Sequence, residues 1–282
     1  MTSRLDVAAA DAYCWRLARL HYENFSVAAP LLRWELRRDL ARVYAYCRTT
    51  DDLGDEHGTS SRAHLERWRE DVSELFAGGR PAHPVLVALR ETVAQYGLPA
   101  QPFLDLIQAN VQDQDVASYA TWQALNGYCE KSAAPVGRIV LRLFRMHSAL
   151  AERLSDDVCI GLQLANFAQD VSVDARKGRT YLLQADLEAG GVPAATRGLC
   201  ERARALLASG RDLEAMAPWP LRFQLALYRL GGLAIVDAIE CLGYRTDRQR
   251  PSVPTRVKLL VLARAIRLSL QEHGDARKLG TA

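Results

Sequence analysis

Residues 161–182 read GLQLANFAQDVSVDARKGRTYL, and this stretch decides the fold class. Its polar residues Gln163, Asn166, Asp170 and Asp174 follow one another at intervals of three, four and four residues. Because an α-helix brings such positions onto one face, the stretch predicts a helix with a polar stripe. The remaining residues are mostly apolar, so we expect the helix to be largely buried and its carboxylates and amides to need partners.

The rest of the chain repeats this helical spacing. Apolar residues recur every three or four positions, and alternating β-branched runs are missing, so we predict an all-α fold. No long Ser/Gly/Pro linker and no internal repeat divides the chain, which predicts a single domain over residues 1–282. Ser155 is predicted to cap the helix that contains the opening stretch. Helices are predicted at 6–22, 31–56, 61–77, 84–96, 101–113, 119–132, 135–150, 156–176, 194–210, 219–244 and 254–272.

Composition excludes several classes of function. The net charge of +3 is too small for a nucleic-acid-binding surface, and the basic runs at 33–42 and 245–256 are interpreted as solvated helix faces. The six cysteines are scattered without a C-x-x-C pair, which favours neither a zinc site nor a disulfide framework. The N-terminus has no apolar signal region, so a cytoplasmic protein is expected.

The segment 257–270, VKLLVLARAIRLSL, is the most apolar part of the C-terminal region. Lys258, Arg264 and Arg267 interrupt it, so it does not reach the roughly 18 apolar residues of a spanning helix. We interpret it as an amphipathic helix of the bundle. Peripheral contact with a bilayer surface is the alternative interpretation.

A second cluster of carboxylates lies in residues 43–58, VYAYCRTTDDLGDEHG. Asp51, Asp52 and Asp55 share one face of a predicted helix with Arg48, which precedes them. A charged face in contact with solvent would explain acidic residues here. It explains less well why three carboxylates crowd into five residues, since like charges so close repel unless a cation lies between them.

Two such helices facing each other across a bundle would bind Mg²⁺ on opposing walls, with a diphosphate between them. Mg²⁺ prefers carboxylate oxygens and keeps coordination positions open for water and substrate phosphate. The metal would neutralise the leaving group as its C–O bond breaks. Arg48 and the basic residues Arg176, Lys177 and Arg179 are candidates for additional counter-charge.

The two motifs, in this order and separation, resemble the squalene and phytoene synthase family, in which D-x-x-x-D segments on two helices flank a central cavity. The resemblance implies the all-α bundle of the isoprenoid (terpenoid) synthase type and a requirement for several Mg²⁺ ions. Within the family the chain is most similar to hydroxysqualene synthases, since ENFSVA and RTTDDLGDE resemble their ENFPVA and R-T-A-D-D-x-A-D-E. The likeness extends over residues 21–28, 44–56, 119–138, 163–181 and 231–244.

The most specific activity that the resemblance implies is hydroxysqualene synthase. Such an enzyme ionises presqualene diphosphate and captures the rearranged carbocation with water, giving hydroxysqualene and diphosphate for squalene and hopanoid biosynthesis. At Gly231-Gly232 the chain lacks a tyrosine that some carotenoid-producing relatives have, which implies a roomier pocket.

The resemblance also assigns site residues. Asp51 and Asp55 match the first metal motif, and Asp170 and Asp174 match the second. Asp52 and Asn166 are expected to support metal binding. Tyr44 and Tyr128 are expected to act with the aspartates near the reacting chain. The expected ligands of the diphosphate are His21, Asn24, Arg48, Gln163, Asn166 and Arg179.

Two alternative functions remain open from the sequence. One is a head-to-head prenyl synthase that makes presqualene diphosphate, squalene or phytoene with the same fold and metals. The other is a non-catalytic family member that acts as an assembly or lipid-binding module. No G-x-G-x-x-G follows a strand, so no NADPH is expected. The expected partners are presqualene diphosphate or another prenyl diphosphate, with peripheral contact to a membrane or to other squalene-pathway enzymes.

Overall fold

Helices make up nearly all of the regular structure. The computed structural model describes residues 4–20, 32–55 and 61–279, with the backbone alone at 4–6, 20 and 271–279. Within those ranges the extended backbone pairs at one isolated bridge, between Tyr119 and Leu183. The all-α prediction is confirmed.

The chain divides into two compact units. Unit 1 comprises Met1–Asp115 and Pro135–His147, and unit 2 comprises Val116–Ala134 and Ser148–Ala282. The single domain remains a prediction, and each unit is described by itself. In the described part of the chain the helices are α1 Arg4–Leu20, α2 Trp34–Asp55, α3 Ser61–Phe76, α4 Pro84–Tyr96, α5 Gln101–Asp115, α6 Trp122–Ser132, α7 Ala134–Leu143, α8 Ala149–Gln169, α9 Val171–Arg176, α10 Gln184–Met216, α11 Trp219–Cys241 and α12 Thr255–Leu279.

Helix α8 begins earlier than the sequence predicted. It starts at Ala149 instead of residue 156, and Ser148 caps it by accepting a hydrogen bond from the Ala151 N–H at 3.2 Å. The predicted cap, Ser155, is wrong because that residue lies buried within the helix. A serine inside a helix cannot act as an N-cap, because the carbonyl groups of the preceding turn already accept the hydrogen bonds of the backbone N–H groups that a cap would bind.

Other helix boundaries differ from the prediction as well, including the end of α7 and the start of α10. Helix α7 ends at Leu143 rather than at residue 150, and Arg145 beyond it has a positive φ of 58°. Helix α10 begins at Gln184 instead of residue 194, so the pair Gly190-Gly191 lies within it. The helix is kinked at this pair, where Gly191 has a φ of 67°, a value that favours glycine.

Helix α2 lies at the centre of unit 1, where it packs against α1, α3, α4 and α5. Its Tyr46 is fully buried and donates a hydrogen bond to the Phe103 carbonyl at 2.8 Å. Trp68 of α3 donates to the Thr50 hydroxyl at 3.0 Å, and that hydroxyl donates to the Tyr46 carbonyl at 2.9 Å. Buried polar groups therefore fix the positions of α3 and α5 against α2.

A buried guanidinium joins α1, α2 and α4. Arg42 is 1% exposed and donates to both carboxylate oxygens of Asp11, at 2.6 and 2.9 Å, and to Asp39 at 3.1 Å. Thr92 and Tyr96 of α4 donate to the same Asp39 carboxylate. Loss of one partner would leave a buried charge uncompensated, so the network specifies how these three helices pack.

In unit 2, α8, α10 and α11 approach closely at glycines. A Cβ on Gly161 of α8 would lie 3.0 Å from Leu207 Cγ and 3.2 Å from the Ala203 carbonyl oxygen, both on α10. A Cβ on Gly232 of α11 would lie 2.7 Å from Leu162 of α8. Helix–helix distances depend on the side chains at the contact, so these glycines permit the close packing.

Helix α12 packs on α11 within unit 2. Ala265 and Ser269 are buried, whereas Leu259 and Leu260 are exposed. Within the described residues, no helix combines the length and apolarity needed to cross a bilayer.

We predict that Gly161→Ala lowers the free energy of unfolding by ~1–3 kcal/mol, since the added methyl group would push α8 away from the backbone of α10. The matched control is Gly127→Ala in α6, where an added Cβ meets nothing within 4 Å. There the gain in helix propensity should raise stability by ~0.5–1 kcal/mol. Urea denaturation measures both changes, and a stable Gly161→Ala protein would contradict the close contact.

The cysteines provide a second prediction. Burial raises the pKa of the Cys14 and Cys200 thiols to about 12, from 9.0, so their thiolate fraction at pH 8 falls about a thousandfold. We expect the exposed Cys241 to react with a thiol reagent at pH 8 while Cys14 and Cys200 stay unmodified. Because the two buried thiols ionise substantially only as the pH approaches 12, their protection should persist to pH 10. Denaturant should abolish it. Peptide mass spectrometry would detect any contrary labelling.

Candidate functional site

The C-terminal half of α2 carries the first set of predicted site residues. Asp51, Asp52 and Asp55 are exposed to water, while Tyr44 and Arg48 are half-buried. The last turn of α2 contains no basic residue, so the partial negative charge at a helix C-terminus adds to the carboxylates. This end of the helix therefore attracts cations.

Two amide side chains of α5 hold this end of α2. Asn110 donates to the Asp51 carboxylate at 3.4 Å and to the Leu106 carbonyl at 3.1 Å, and Gln114 donates to the Gly54 carbonyl at 2.9 Å. A Cβ on Gly54 would lie 2.2 Å from Asn110 Oδ1, so the contact requires glycine. The sequence prediction missed Asn110 and Gln114; their spacing of four places them on one face of α5, but several other polar residues of the same helix make that signal weak.

The carboxylates of α2 differ in their surroundings. Nearby protein atoms displace much of the water around the Asp51 carboxylate and so raise its pKa to about 6, although some water still reaches the side chain. The Asn110 hydrogen bond opposes this rise, whereas the charge of Asp55 adds to it. Arg48 pairs with Asp52 at 2.5 Å. The protein therefore neutralises the negative charge of ionised Asp51 only in part, and this carboxylate is available for a cation.

The second set of predicted residues lies on α8 and α9 of unit 2. Gln163 is half-buried, Asn166 is exposed, and Asp170 stands between the two helices with φ −100° and ψ 17°. The single helix predicted over 156–176 is therefore interrupted at the first aspartate of the motif. Asp174 is half-buried in α9, and its carbonyl accepts a hydrogen bond from the Arg179 N–H at 3.0 Å.

Arg250, from the segment between α11 and α12, binds the first aspartate of this set. Its Nε and Nη2 donate to the two carboxylate oxygens of Asp170, the second at 3.3 Å. The neighbouring Gln169 is buried and donates to the Pro251 carbonyl at 2.9 Å. The side chain of Arg250 is 55% exposed, so it remains solvated as interpreted for the run 245–256, and its guanidinium also pairs with a carboxylate 80 positions away in sequence.

An aromatic cluster surrounds Tyr128. This tyrosine is 4% exposed, and its ring centroid lies 5.7 Å from that of Tyr181 and 6.3 Å from that of Phe167. Phe167 and Tyr181 stack with centroids 3.8 Å apart, and Tyr119 completes the group. Tyr128 thus forms part of an aromatic wall of unit 2, and its catalytic role remains a prediction.

The other predicted site residues are the basic group around Arg179, the pair His21 and Asn24, and the glycine pair of α11. Arg179 is half-buried, and Arg176 and Lys177 beside it are exposed. His21 and Asn24 lie outside the described residues. At the glycine pair of α11 the structure shows open space beside Gly231 alone, since Gly232 is enclosed by Leu162 and Leu207.

A sequence model described as "Squalene/phytoene synthase" matches residues 18–257. The chain belongs to the squalene/phytoene synthase family. Members of this family are prenyltransferase-type enzymes that act on prenyl diphosphates. The resemblance read from the motifs is thereby confirmed.

Relatives of this family member include plant and cyanobacterial enzymes. It is 32% identical to phytoene synthase 3 of Zea mays over 91% of its own length, and it spans 65% of that enzyme. It is 30% identical to the phytoene synthase of Arthrospira platensis, covering 92% of this chain and 94% of the relative.

Solved structures of the family confirm the isoprenoid synthase type of fold. The chain is 41% identical to squalene synthase HpnC from Alicyclobacillus acidocaldarius, with a TM-score of 0.80, covering 86% of this chain and 97% of that protein. A dehydrosqualene synthase is 22% identical with a TM-score of 0.83, over 93% of this chain and 97% of that one, which shows the fold alone.

The raised pKa of Asp51 predicts a pH-dependent gain in stability from Asp51→Asn. Well below pH 4 the wild-type carboxyl is protonated in both the folded and the unfolded chain, so its ionisation contributes no difference. Between about pH 4 and 6 the unfolded chain ionises this carboxyl while the folded chain keeps its proton, so the wild type loses stability as the pH rises; the loss levels off above about pH 6, and the neutral amide avoids it.

Urea denaturation in EDTA at several pH values measures the effect. The stability of Asp51→Asn relative to wild type should rise across this range, and the exposed control Glu66→Gln should show no such rise. A flat difference for Asp51→Asn would mean that α2 accommodates the ionised carboxylate without strain.

Proposed function

We propose that the protein is a Mg²⁺-dependent hydroxysqualene synthase that converts presqualene diphosphate and water into hydroxysqualene and diphosphate. The observation that carries the proposal is the presence of both aspartate pairs in a chain of this family, with Asp51 and Asp55 exposed to water and Asp170 and Asp174 only partly buried. Each pair lies at the end or interruption of a helix that is otherwise packed. Because an ionised carboxylate is costly to bury without a partner, carboxylates in such positions are better suited to bind a ligand than to pack in the core.

The donor set suits Mg²⁺. Among the described residues, no three carboxylate, histidine or cysteine side chains converge as a preformed metal centre. Mg²⁺ does not need one, since it keeps several waters and binds through one or two carboxylates together with substrate phosphates. We propose Asp51, Asp52 and Asp55 as ligands from unit 1, and Asn166, Asp170 and Asp174 as ligands from unit 2.

When bound, Mg²⁺ would neutralise the charge that develops on the departing diphosphate. We propose that Arg48, Arg250 and Arg179 add guanidinium counter-charge. Asp170 can serve a metal while Arg250 remains paired with it, because a carboxylate has about four lone-pair sites and two N–H groups occupy two of them. Gln163, His21 and Asn24 complete the proposed polar contacts to the diphosphate.

The reaction breaks the C–O bond to diphosphate and forms one C–O bond to water, which releases a proton. The carbocation between these steps must be protected from bulk water. We propose that the cluster of Tyr119, Tyr128, Phe167 and Tyr181 supplies aromatic faces that stabilise it, with Tyr44 on α2 as a further polar group. Gly231 leaves room beside α11 for a bulky chain.

A head-to-head prenyl synthase is the second candidate. The phytoene synthases of Zea mays and Arthrospira platensis, at 30–32% identity over more than nine-tenths of this chain, favour it. The 41% identity to a bacterial squalene synthase favours a squalene-related step instead. The two candidates share fold and metals and differ in substrate.

Product analysis separates them. Purified protein and Mg²⁺ are incubated separately with presqualene diphosphate, farnesyl diphosphate and geranylgeranyl diphosphate, and products are identified by mass spectrometry. Hydroxysqualene from presqualene diphosphate supports the proposal. A product from farnesyl or geranylgeranyl diphosphate alone would establish the second candidate, and no product from any of them would point to a non-catalytic protein.

We predict that Asp51→Asn and Asp170→Asn each lower kcat by at least about 100-fold, because transition-state charge loses its neutralisation. Asp212→Asn, an exposed isosteric change on α10, serves as the matched control and should retain activity. Mn²⁺ binding measured by electron paramagnetic resonance should weaken in both site variants. Full turnover in both would refute the metal assignment.

A further inference from the structure

The outer face of α12 exposes more large apolar side chains than any other helix in the described part of the chain. Leu259 is 61% exposed, Leu260 68%, Ile266 44% and Leu270 57%. Side chains of this helix are described up to Leu270. Because burial of these leucines would be favourable and α11 covers only the opposite face, the outer face is suited to an apolar contact.

The apolar residues form a stripe that follows the helix axis. At about 100° per residue, Leu259, Ala263, Ile266 and Leu270 fall within about 60° of the circumference. All four are exposed. We call these four residues the apolar stripe; at 1.5 Å per residue it extends about 16 Å along α12.

Cations border the stripe. Arg256 and Arg267 lie next to it on one side and Lys258 lies beyond it on the other, while Arg264 is farther round the helix. These four basic residues are exposed, and residues 255–270 contain no aspartate or glutamate. An apolar stripe between exposed cations is the pattern of a helix that lies in the interface of an anionic membrane.

We propose that the outer face of α12 docks the protein onto an anionic lipid bilayer. The stripe inserts among the acyl chains near the headgroups, and the flanking arginines and lysine contact lipid phosphates and carboxylates. A second copy of the chain fits this face less well, because pairing two such faces would bring like charges together without a carboxylate to neutralise them. The helix itself lies on the surface, in agreement with its interruption by basic residues.

This inference uses only the exposed residues of α12, so it is independent of which diphosphate is the substrate.

Vesicle co-sedimentation tests the proposal. The full chain is mixed with vesicles of phosphatidylcholine alone, or of phosphatidylcholine with phosphatidylserine, at low and high salt. We expect binding that requires phosphatidylserine and weakens with salt. No binding to phosphatidylserine vesicles would overturn the proposal.

Two variants separate the apolar and electrostatic parts. Leu259→Gln/Ile266→Gln should lower binding about tenfold or more, because the apolar area that enters the bilayer is lost. Arg256→Gln/Arg267→Gln should lower binding by about fivefold for each removed charge and reduce its salt dependence. Leu150→Gln, a change of equally exposed leucine at the start of α8, is the matched control and should bind as wild type.

Circular dichroism establishes that each variant is folded, and light scattering after gel filtration gives its oligomeric state. A wild-type dimer that Leu259→Gln/Ile266→Gln converts to monomer would show that the occupant is a second copy, and would overturn the proposal. Turnover in detergent solution should be equal in wild type and the α12 variants. Failure of the proposed function would remove turnover from all of them and leave vesicle binding unchanged.

Discussion

Helix α2 must pack against four other helices of unit 1 and yet end in three carboxylates that water can reach. The first requirement is met by Tyr46 and Thr50, whose hydrogen bonds fix α3 and α5 against the helix, and by Arg42, which pairs with the buried Asp39 and the half-buried Asp11. The second is met one turn later, where Gly54 makes room for Asn110 to contact Asp51. The packing that buries the helix therefore also raises the pKa of Asp51, because nearby protein atoms displace water from its carboxylate.

Unit 2 meets the same requirement by interrupting the helix instead of ending it. The backbone leaves helical geometry at Asp170, which turns the carboxylate towards Arg250, while Gln169 binds the adjacent carbonyl of Pro251. Elsewhere in the unit, glycines at positions 161 and 232 allow α8, α10 and α11 to pack closely. The aromatic cluster on the neighbouring elements adds a stacked wall, in which the ring centroids of Phe167 and Tyr181 lie 3.8 Å apart. The two aspartate sets thus depend on different structural devices.

Much of this could be predicted from the chain alone. The spacing of Gln163, Asn166, Asp170 and Asp174 predicted a helix with a polar face, and the matching spacing around Asp51 predicted a second one. Both stretches are helical, the first divided between α8 and α9 at Asp170, because apolar periodicity records which side of a helix is buried. The start of α8 and the interruption at Asp170 could not be found in this way, since Ser148 and Ser155 are equally good caps locally and only the packing of residues 149–154 distinguishes them.

The sequence by itself determined the all-α class and the family and predicted the aspartates of the site, because helical period and motif spacing are properties of neighbouring residues. The tertiary structure decided which remote side chains support those aspartates. Asn110 reaches Asp51 across 59 positions and Arg250 reaches Asp170 across 80, and no local pattern encodes such a pairing. It also decided that one face of α12 stays uncovered, because an amphipathic pattern shows that a helix has an apolar side and a basic side, and only the packed neighbours show what each side meets.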